Sequence, residues 1–281
     1  MKPLFKLLTE LSSRRWVSQF SGKLAKSALS KRWIRRFAKI YGIHVEEAEK
    51  PIEAYESLND FFTRRLKPGS RPLDPSPDAM LSPVDAVITA CGTIQEGELL
   101  SIKGQNYTIE ELLNHSPRMI NYEHGHFFVL YLSPKDYHRI HSPVSGEILE
   151  KDRIRGKVYP VHDFSMQHMK QVLSRNERLV TYIQHEFGEV AVVKVGALNV
   201  ASIQYVPSLP HQIERGAELA YFEFGSTVVL LTESGIFNPN LSLKPGDKVR
   251  VGQSLGHFTA KHEKSSHRGS PKKTEDRDSI E

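Results

Sequence analysis

The densest group of titratable side chains in this chain is Tyr137-His138-Arg139-Ile140-His141-Ser142-Pro143. It follows an apolar run, Phe127 to Leu132, and a Ser133-Pro134 step. That step predicts a short helical turn capped by Ser133, with Pro134 in its first position and Asp136 inside it. His138 and His141 leave such a turn close together, and histidine is the usual general base near neutral pH. Two neighbouring histidines can also be satisfied structural residues, or can share a metal ion. No cysteine set and no His-Glu-x-x-His pattern supports a metal.

A second candidate is Ser226, in Phe224-Gly225-Ser226-Thr227. Its hydroxyl could attack the Gly225 carbonyl immediately before it, where no side chain crowds the attacked carbon. The tetrapeptide alone also reads as a bulged strand with a surface serine, because Gly inside a strand marks a bulge or a close approach. On that pattern, Ala220-Tyr221-Phe222 and Val228-Val229-Leu230-Leu231 are one strand broken at its centre. Asp85 completes a possible Asp85–His141–Ser226 set, which only geometry can establish. An Asp just inside a turn more often bonds its own backbone.

The elements that must position these residues follow from periodicity. Pro3 to Leu11 and Trp33 to Tyr41 predict basic amphipathic helices. Glu53 to Arg65 predicts a further helix, anchored by Phe61 and Phe62 and ended by Lys67-Pro68-Gly69. Beyond residue 78 the texture becomes short apolar segments separated by Gly, Pro, Asn and Asp, which predicts a β-rich body. The segments are 86–90, 99–102, 127–132, 146–149, 180–187, 190–195, 200–206, 228–231 and 248–258, with inserted helices at 109–114 and 163–172. Ser82-Pro83-Val84-Asp85-Ala86 echoes Ser142-Pro143-Val144-Ser145-Gly146, each an extended Ser-Pro entry into a turn. Lys244-Pro245-Gly246-Asp247-Lys248-Val249 resembles the turns of lipoyl- and biotinyl-type barrel-sandwich domains. The fold class expected is α+β: a β-rich body resembling a duplicated barrel-sandwich, with N-terminal amphipathic helices.

The chain has 281 residues with 39% hydrophobic content, enough for one large domain or two small ones. The formal net charge is +5, and the excess is concentrated at the N-terminus, where Glu10 is the one acid before residue 41. Such asymmetry points to an anionic partner, membrane or nucleic acid. A basic helical pair packed on the protein's own core, or a mitochondrial presequence, would carry the same pattern. The single cysteine, Cys91, excludes an intrachain disulfide and a thiolate cluster. No apolar run reaches the length of a membrane span. No secretory signal sequence is evident. After Lys261 almost nothing is apolar, which predicts a disordered tail.

Five pieces in this order resemble the pyruvoyl-dependent phosphatidylserine decarboxylases of bacterial size. They are Asn59-Asp60-Phe61-Phe62-Thr63-Arg64-Arg65-Leu66-Lys67-Pro68-Gly69, Ser82-Pro83-Val84-Asp85, Tyr137-His138-Arg139-Ile140-His141, Val195-Gly196-Ala197 and Phe224-Gly225-Ser226-Thr227. Phe224 stands where the family more often has Leu, and Ala86 where it commonly has Gly.

The resemblance implies self-cleavage at Gly225-Ser226, with Ser226 the nucleophile, His141 its base and Asp85 orienting His141. Ser226 then becomes a covalent pyruvoyl group, the cofactor, which forms a Schiff base with phosphatidylserine, and His138 or His141 reprotonates the product carbon. It implies a domain layout of docking helices at 1–45, a catalytic body at 46–260 and a polar tail at 261–281. Residues 1–225 and 226–281 would form a heterodimer, with a homodimer of that unit possible. The resemblance also implies no metal and no nucleic-acid partner, and a peripheral position on the cytoplasmic face of the bacterial membrane, facing anionic lipid. Two rivals lack their own signatures. A serine hydrolase would want a Gly-x-Ser-x-Gly elbow, and a barrel-sandwich carrier would want a lysine at a hairpin tip.

Overall fold

The computed structural model describes residues 22–95, 98–102, 105–157, 159, 171–197, 203–223 and 226–260. The helix expected at Pro3 to Leu11, most of that at 163–172, the Phe224-Gly225 step and the polar tail lie outside them.

At the N-terminal end, residues 22–26 are helical. A 3-10 segment at Ala28–Trp33 then runs into α1 (Ile34–Tyr41), which ends on Gly42 in the left-handed region at φ 64°. Ile34 and Ala38 of α1 are buried in a small core with Ile43, Ala48, Tyr55 and Phe61. The helix expected at 53–65 is broken in two: a 3-10 turn at Ile52–Ala54, then α2 (Leu58–Phe62). Ser57 is the reason. It takes an extended backbone (φ −152°, ψ 166°), and its hydroxyl accepts from Asp60 N–H, which starts a new helix rather than continuing one.

The body is built from strands β1 (Ala79–Leu81), β2 (Ala86–Thr93), β3 (Glu98–Ile102), β4 (Gln105–Thr108), β5 (His126–Leu132), β6 (Arg139–His141), β7 (Gly146–Ile154), β8 (Arg178–His185), β9 (Gly188–Gly196), β10 (Ile203–Tyr205), β11 (Gln212–Ile213), β12 (Glu218–Phe222), β13 (Ser226–Thr232), β14 (Phe237–Pro239), β15 (Lys248–Val249) and β16 (Ser254–Phe258). Short helices α3 (Ile109–Leu112) and α4 (Val172–Arg175) lie between them. The largest sheet has eight antiparallel strands in the order β11-β7-β8-β9-β13-β5-β2-β15, flanked by β1-β16-β14 and β10-β12-β6. Its central strands are buried on both faces, which is why β9 reads as an unalternating apolar run.

The order of that sheet is a pseudo-two-fold. The axis passes between β9 and β13, and each strand on one side has a counterpart on the other. The pairing of β1 with β16 sets Leu81 opposite Ser254 and Met80 opposite Gly256, and β6 with β12 repeats it as His141 opposite Glu218 and Ile140 opposite Ala220, down to the same irregularity. Val249 faces Ala86 as Ile213 faces Gly146. The Ser-Pro turns match as well: Ser82 Oγ donates to Val84 O at 2.8 Å and Ser142 Oγ to Val144 O at 2.7 Å. Asp85 accepts from Val251 N–H where Ser145 accepts from Arg215 N–H. The duplicated body expected from the sequence is therefore present. The copy spanning β6 to β12 is inserted between β5 and β13 of the other.

Two expectations change. Phe222 and Ser226 do not share a broken strand: β12 ends in a three-stranded sheet, and β13 begins in the middle of the large one. Ala86 sits at the start of β2 and is not among the residues with positive φ, so Ala in place of Gly is unstrained there.

Leu73 lies between the two copies, against Gly216 (φ 82°) and Gly252 (φ 88°). A Cβ on Gly252 would stand 2.6 Å from Pro72 O, whereas Gly235 (φ 75°) has nothing within 4 Å. Gly235→Ala should cost about 1 kcal/mol of left-handed strain alone, and Gly252→Ala clearly more. Urea unfolding of the two variants in an uncleavable background checks that order, and equal losses would contradict it.

Candidate functional site

The turn after β5 brings the histidines to one place. It is not helical. Asp136 N–H donates to Ser133 O at 2.9 Å, and the Asp136 carboxyl accepts from both the N–H and the hydroxyl of Ser133 at 2.7 Å. Burial raises the Asp136 pKa above the usual carboxylate range.

His138 is completely buried, with its ring 4.0 Å from that of Phe62. Its Nδ1 lies 2.8 Å from Asp136 O. A carbonyl can only accept, so Nδ1 carries the proton and Nε2 holds a lone pair. That Nε2 is buried and has no partner. Desolvation, with a smaller contribution from the Arg64 charge, pushes the His138 pKa down to about 3, so the ring is neutral at physiological pH.

His141 follows the same logic. Its Nδ1 donates to Gly216 O at 2.6 Å, which leaves Nε2 to accept from the Tyr137 hydroxyl at 3.0 Å. Burial lowers its pKa as well, against an opposing pull from the Gly216 carbonyl. Tyr137 is buried, and its phenol is pushed well above its usual range, again by burial.

Asp85 does not touch His141. Arg71 grips its carboxylate, Nε at 2.9 and 3.0 Å from the two oxygens and Nη2 at 2.5 Å, and Val251 N–H donates to Oδ1 at 2.9 Å. The hydrogen bond from Asp85 to His141 expected from the chain order is thus absent, because Arg71 and Val251 hold the carboxylate and the Gly216 carbonyl holds Nδ1. The two residues are linked through backbone, His141 N–H donating to Pro83 O at 2.8 Å, and through space, where the Asp85 charge favours protonation of His141.

Ser226 opens β13, opposite Leu132 of β5 on one side and Gly196 of β9 on the other. Leu132 directly precedes the turn that carries His138. Phe222 N–H donates to His138 O at 3.0 Å, so the chain passes the histidine turn three residues before Gly225. Gly225 itself lies outside the described residues. Glu223, nearly buried, is paired with Lys26 at 2.7 Å, which ties the N-terminal basic segment to the approach to Ser226.

Three functional features gave no signal in the sequence: Arg71 as the partner of Asp85, Gly216 O as the partner of His141, and a cavity of about 340 Å³ whose wall includes Arg64, Arg71, Asp85, Ser133 and Tyr137. Each depends on segments far apart in the chain. Among the described residues no group of His, Cys, Asp and Glu has the arrangement of a metal site.

The phosphatidylserine decarboxylase family model matches residues 58–257, a span holding Arg64, Asp85, both histidines and Ser226. The chain belongs to the phosphatidylserine decarboxylase family. Relatives named phosphatidylserine decarboxylase proenzyme include one from Anoxybacillus flavithermus, 41% identical over 94% of this chain and 99% of the relative. One from Geobacillus kaustophilus is 41% identical over the same shares. One from Bacillus thuringiensis is 39% identical over 90% of this chain and 97% of the relative. His138 is buried, His141 is half-buried, and Ser226 opens a central strand.

The His138 environment has a stability signature. Its folded-state pKa lies below the ordinary 6.5, so between pH 6.5 and about 3 the unfolded chain binds a proton that the folded chain does not. Stability should fall with decreasing pH across that window by up to about 1.4 kcal/mol per pH unit. In an uncleavable background, His138→Leu should reduce the loss between pH 7 and pH 5 by about 2 kcal/mol. Urea unfolding at both pH values tests this, and an undiminished loss would refute it.

Proposed function

We propose that this chain cuts itself between Gly225 and Ser226, converts Ser226 to a pyruvoyl group, and decarboxylates phosphatidylserine to phosphatidylethanolamine and CO₂. The observation that carries the proposal is the placement of Ser226: the first residue of a central strand, laddered on both sides, opposite Leu132, which directly precedes the turn that carries His138.

In the proposed self-cleavage, Ser226 Oγ bonds to the Gly225 carbonyl carbon while its proton leaves toward His141. The amide C–N bond breaks and the nitrogen takes that proton, leaving an ester. The acidic α-hydrogen of residue 226 is then removed, the Cβ–O bond breaks, and Gly225 departs as a carboxylate. Water replaces the nitrogen, which is lost as ammonia. His141 suits the base role because the Gly216 carbonyl fixes its tautomer with Nε2 unprotonated. In the described state Nε2 faces the Tyr137 hydroxyl, so the proton reaches it through that phenol or after the phenol moves aside. Asp85 contributes its charge from a fixed position set by Arg71.

The residues fit the group they would make. His138 Nε2, buried and without a partner, supplies an unengaged proton site beside the segment. The pyruvoyl carbonyl supplies an electron sink for the electron pair left when CO₂ departs. His138 is the proposed donor to the product carbon. It must first take a proton at Nε2, for which the substrate ammonium is a source, and its low proton affinity makes the protonated ring a strong acid. After cleavage, β13 to β16 remain paired with β5, β9, β2 and β1, so residues 1–225 and 226–281 stay together as a heterodimer.

The substrate lies in a bilayer, and residues 22–45 carry the means to meet it. Leu24, Leu29, Trp33 and Ile40 are roughly half exposed or more, beside Lys31, Arg32, Arg36 and Lys39. The proposed location is peripheral, on the cytoplasmic face of the membrane, with apolar side chains entering the interface and cations meeting anionic lipid. No helix among the described residues is long and apolar enough to cross a membrane.

Ser226→Ala should abolish both cleavage and CO₂ release; normal decarboxylation by that variant would end the pyruvoyl reading. Replacing Lys31, Arg32, Arg36 and Lys39 with Gln should weaken sedimentation with anionic vesicles by at least about tenfold at low salt, with little effect on neutral vesicles. Unchanged binding to anionic vesicles would remove the docking role.

A further inference from the structure

The cavity beside the histidine turn contains a positive charge that no carboxylate balances. Arg64 is 4% exposed. Its Nε and Nη1 are buried without a hydrogen-bond partner. Its Nη2 reaches only two carbonyl oxygens, Lys135 O at 3.3 Å and Asp136 O at 3.5 Å. The Phe61 ring lies against it, with the guanidinium carbon 5.2 Å from the centroid. A buried charge is normally paired, and an unpaired one costs several kcal/mol. Burial accordingly pulls the Arg64 pKa down.

The cavity's carboxylates are engaged elsewhere. Asp85 and Glu47 both hold Arg71, and Asp136 accepts from Ser133. On the rim stand Lys135, Lys248 and Arg250, all exposed. The wall therefore offers a net positive field with a buried guanidinium in its lining, and long, weak bonds to carbonyls that an anion can replace. A guanidinium fork suits the paired oxygens of an oxyanion. A volume of about 340 Å³ suits a small head group rather than acyl chains.

We infer that this cavity binds the phosphodiester of the lipid head group, with Arg64 as its anchor and Lys135, Lys248 and Arg250 drawing it in. The inference rests on the function proposed above and adds the site that holds the substrate. Its position fits that role. Ser133 on the wall follows Leu132, the residue opposite Ser226 in the sheet, and Tyr137 on the wall holds His141 Nε2. A head group bound here by its phosphodiester has its serine end a few bonds away from the anchor.

The test uses the full chain in two forms. In uncleaved Ser226→Ala protein, which cannot react, glycerophosphoethanolamine should raise Tm, free serine should not, and inorganic phosphate should do so less. Arg64→Gln should remove the shift and Arg64→Lys should restore part of it. In processed protein acting on short-chain phosphatidylserine, Arg64→Gln should raise KM about tenfold or more with a smaller change in kcat. If Arg64→Gln does not fold, the surface double variant Lys135→Gln/Lys248→Gln should still reduce the Tm shift. An undiminished shift in folded Arg64→Gln, or in the double variant, overturns the site, as does a shift with serine alone. If the unmutated chain lacks decarboxylase activity while the Arg64-dependent shift persists, the proposed reaction fails and the anion site stands.

Discussion

The constraint on which the rest depends is that β13 starts at Ser226 in the middle of an eight-stranded sheet. Ladders to β5 and β9 hold both of its edges. A bond broken just before Ser226 frees a new chain end without freeing the strand, because the hydrogen bonds that fix it lie within the ladders rather than across the cut. Val228, Val229, Leu230 and Leu231 are fully buried, so separating the two chains would expose the centre of the core. The proposed cleavage would therefore leave the strand that begins at Ser226 in place.

The same placement follows from the duplication. Because one copy of the body is inserted between β5 and β13 of the other, the chain leaves β12 at Phe222 and re-enters the central sheet at Ser226. The end of β12 lies at the histidine turn, where His138 O accepts from Phe222 N–H. Burial does the rest of the electrostatic work there: it lowers the pKa of both His138 and His141 while carbonyl partners fix which ring nitrogen bears the proton. Arg71 meanwhile keeps Asp85 anchored, and Arg64 remains without an anion.

Much of the fold was legible in the sequence because the signals were local. Val190 to Val195 reads as a short apolar segment of the β-rich body, and lies within β9. The two Ser-Pro-Val segments announced a repeat that the registers of β1–β16 and β6–β12 confirm. Where the reading failed, the deciding contact was not local. The Glu53 to Arg65 helix is divided because Ser57 caps a new start. The continuous strand read across Gly225-Ser226 is two strands, since nothing in a tetrapeptide says that the chain is changing sheets. Asp85, His141 and Ser226 were identifiable as residue types in order. That Arg71, fourteen residues before Asp85, would take its carboxylate, or that a glycine carbonyl seventy-five residues beyond His141 would orient the ring, is fixed only by packing.

In the proposed maturation the Gly225–Ser226 bond is broken. Intact mass measurement of the purified protein under denaturing conditions tests it most directly. Two chains are expected, residues 1–225 and 226–281, the smaller lacking a free amino terminus and gaining mass with a carbonyl-reactive hydrazine. A single uncut chain of 281 residues in a preparation that releases CO₂ from phosphatidylserine would contradict it.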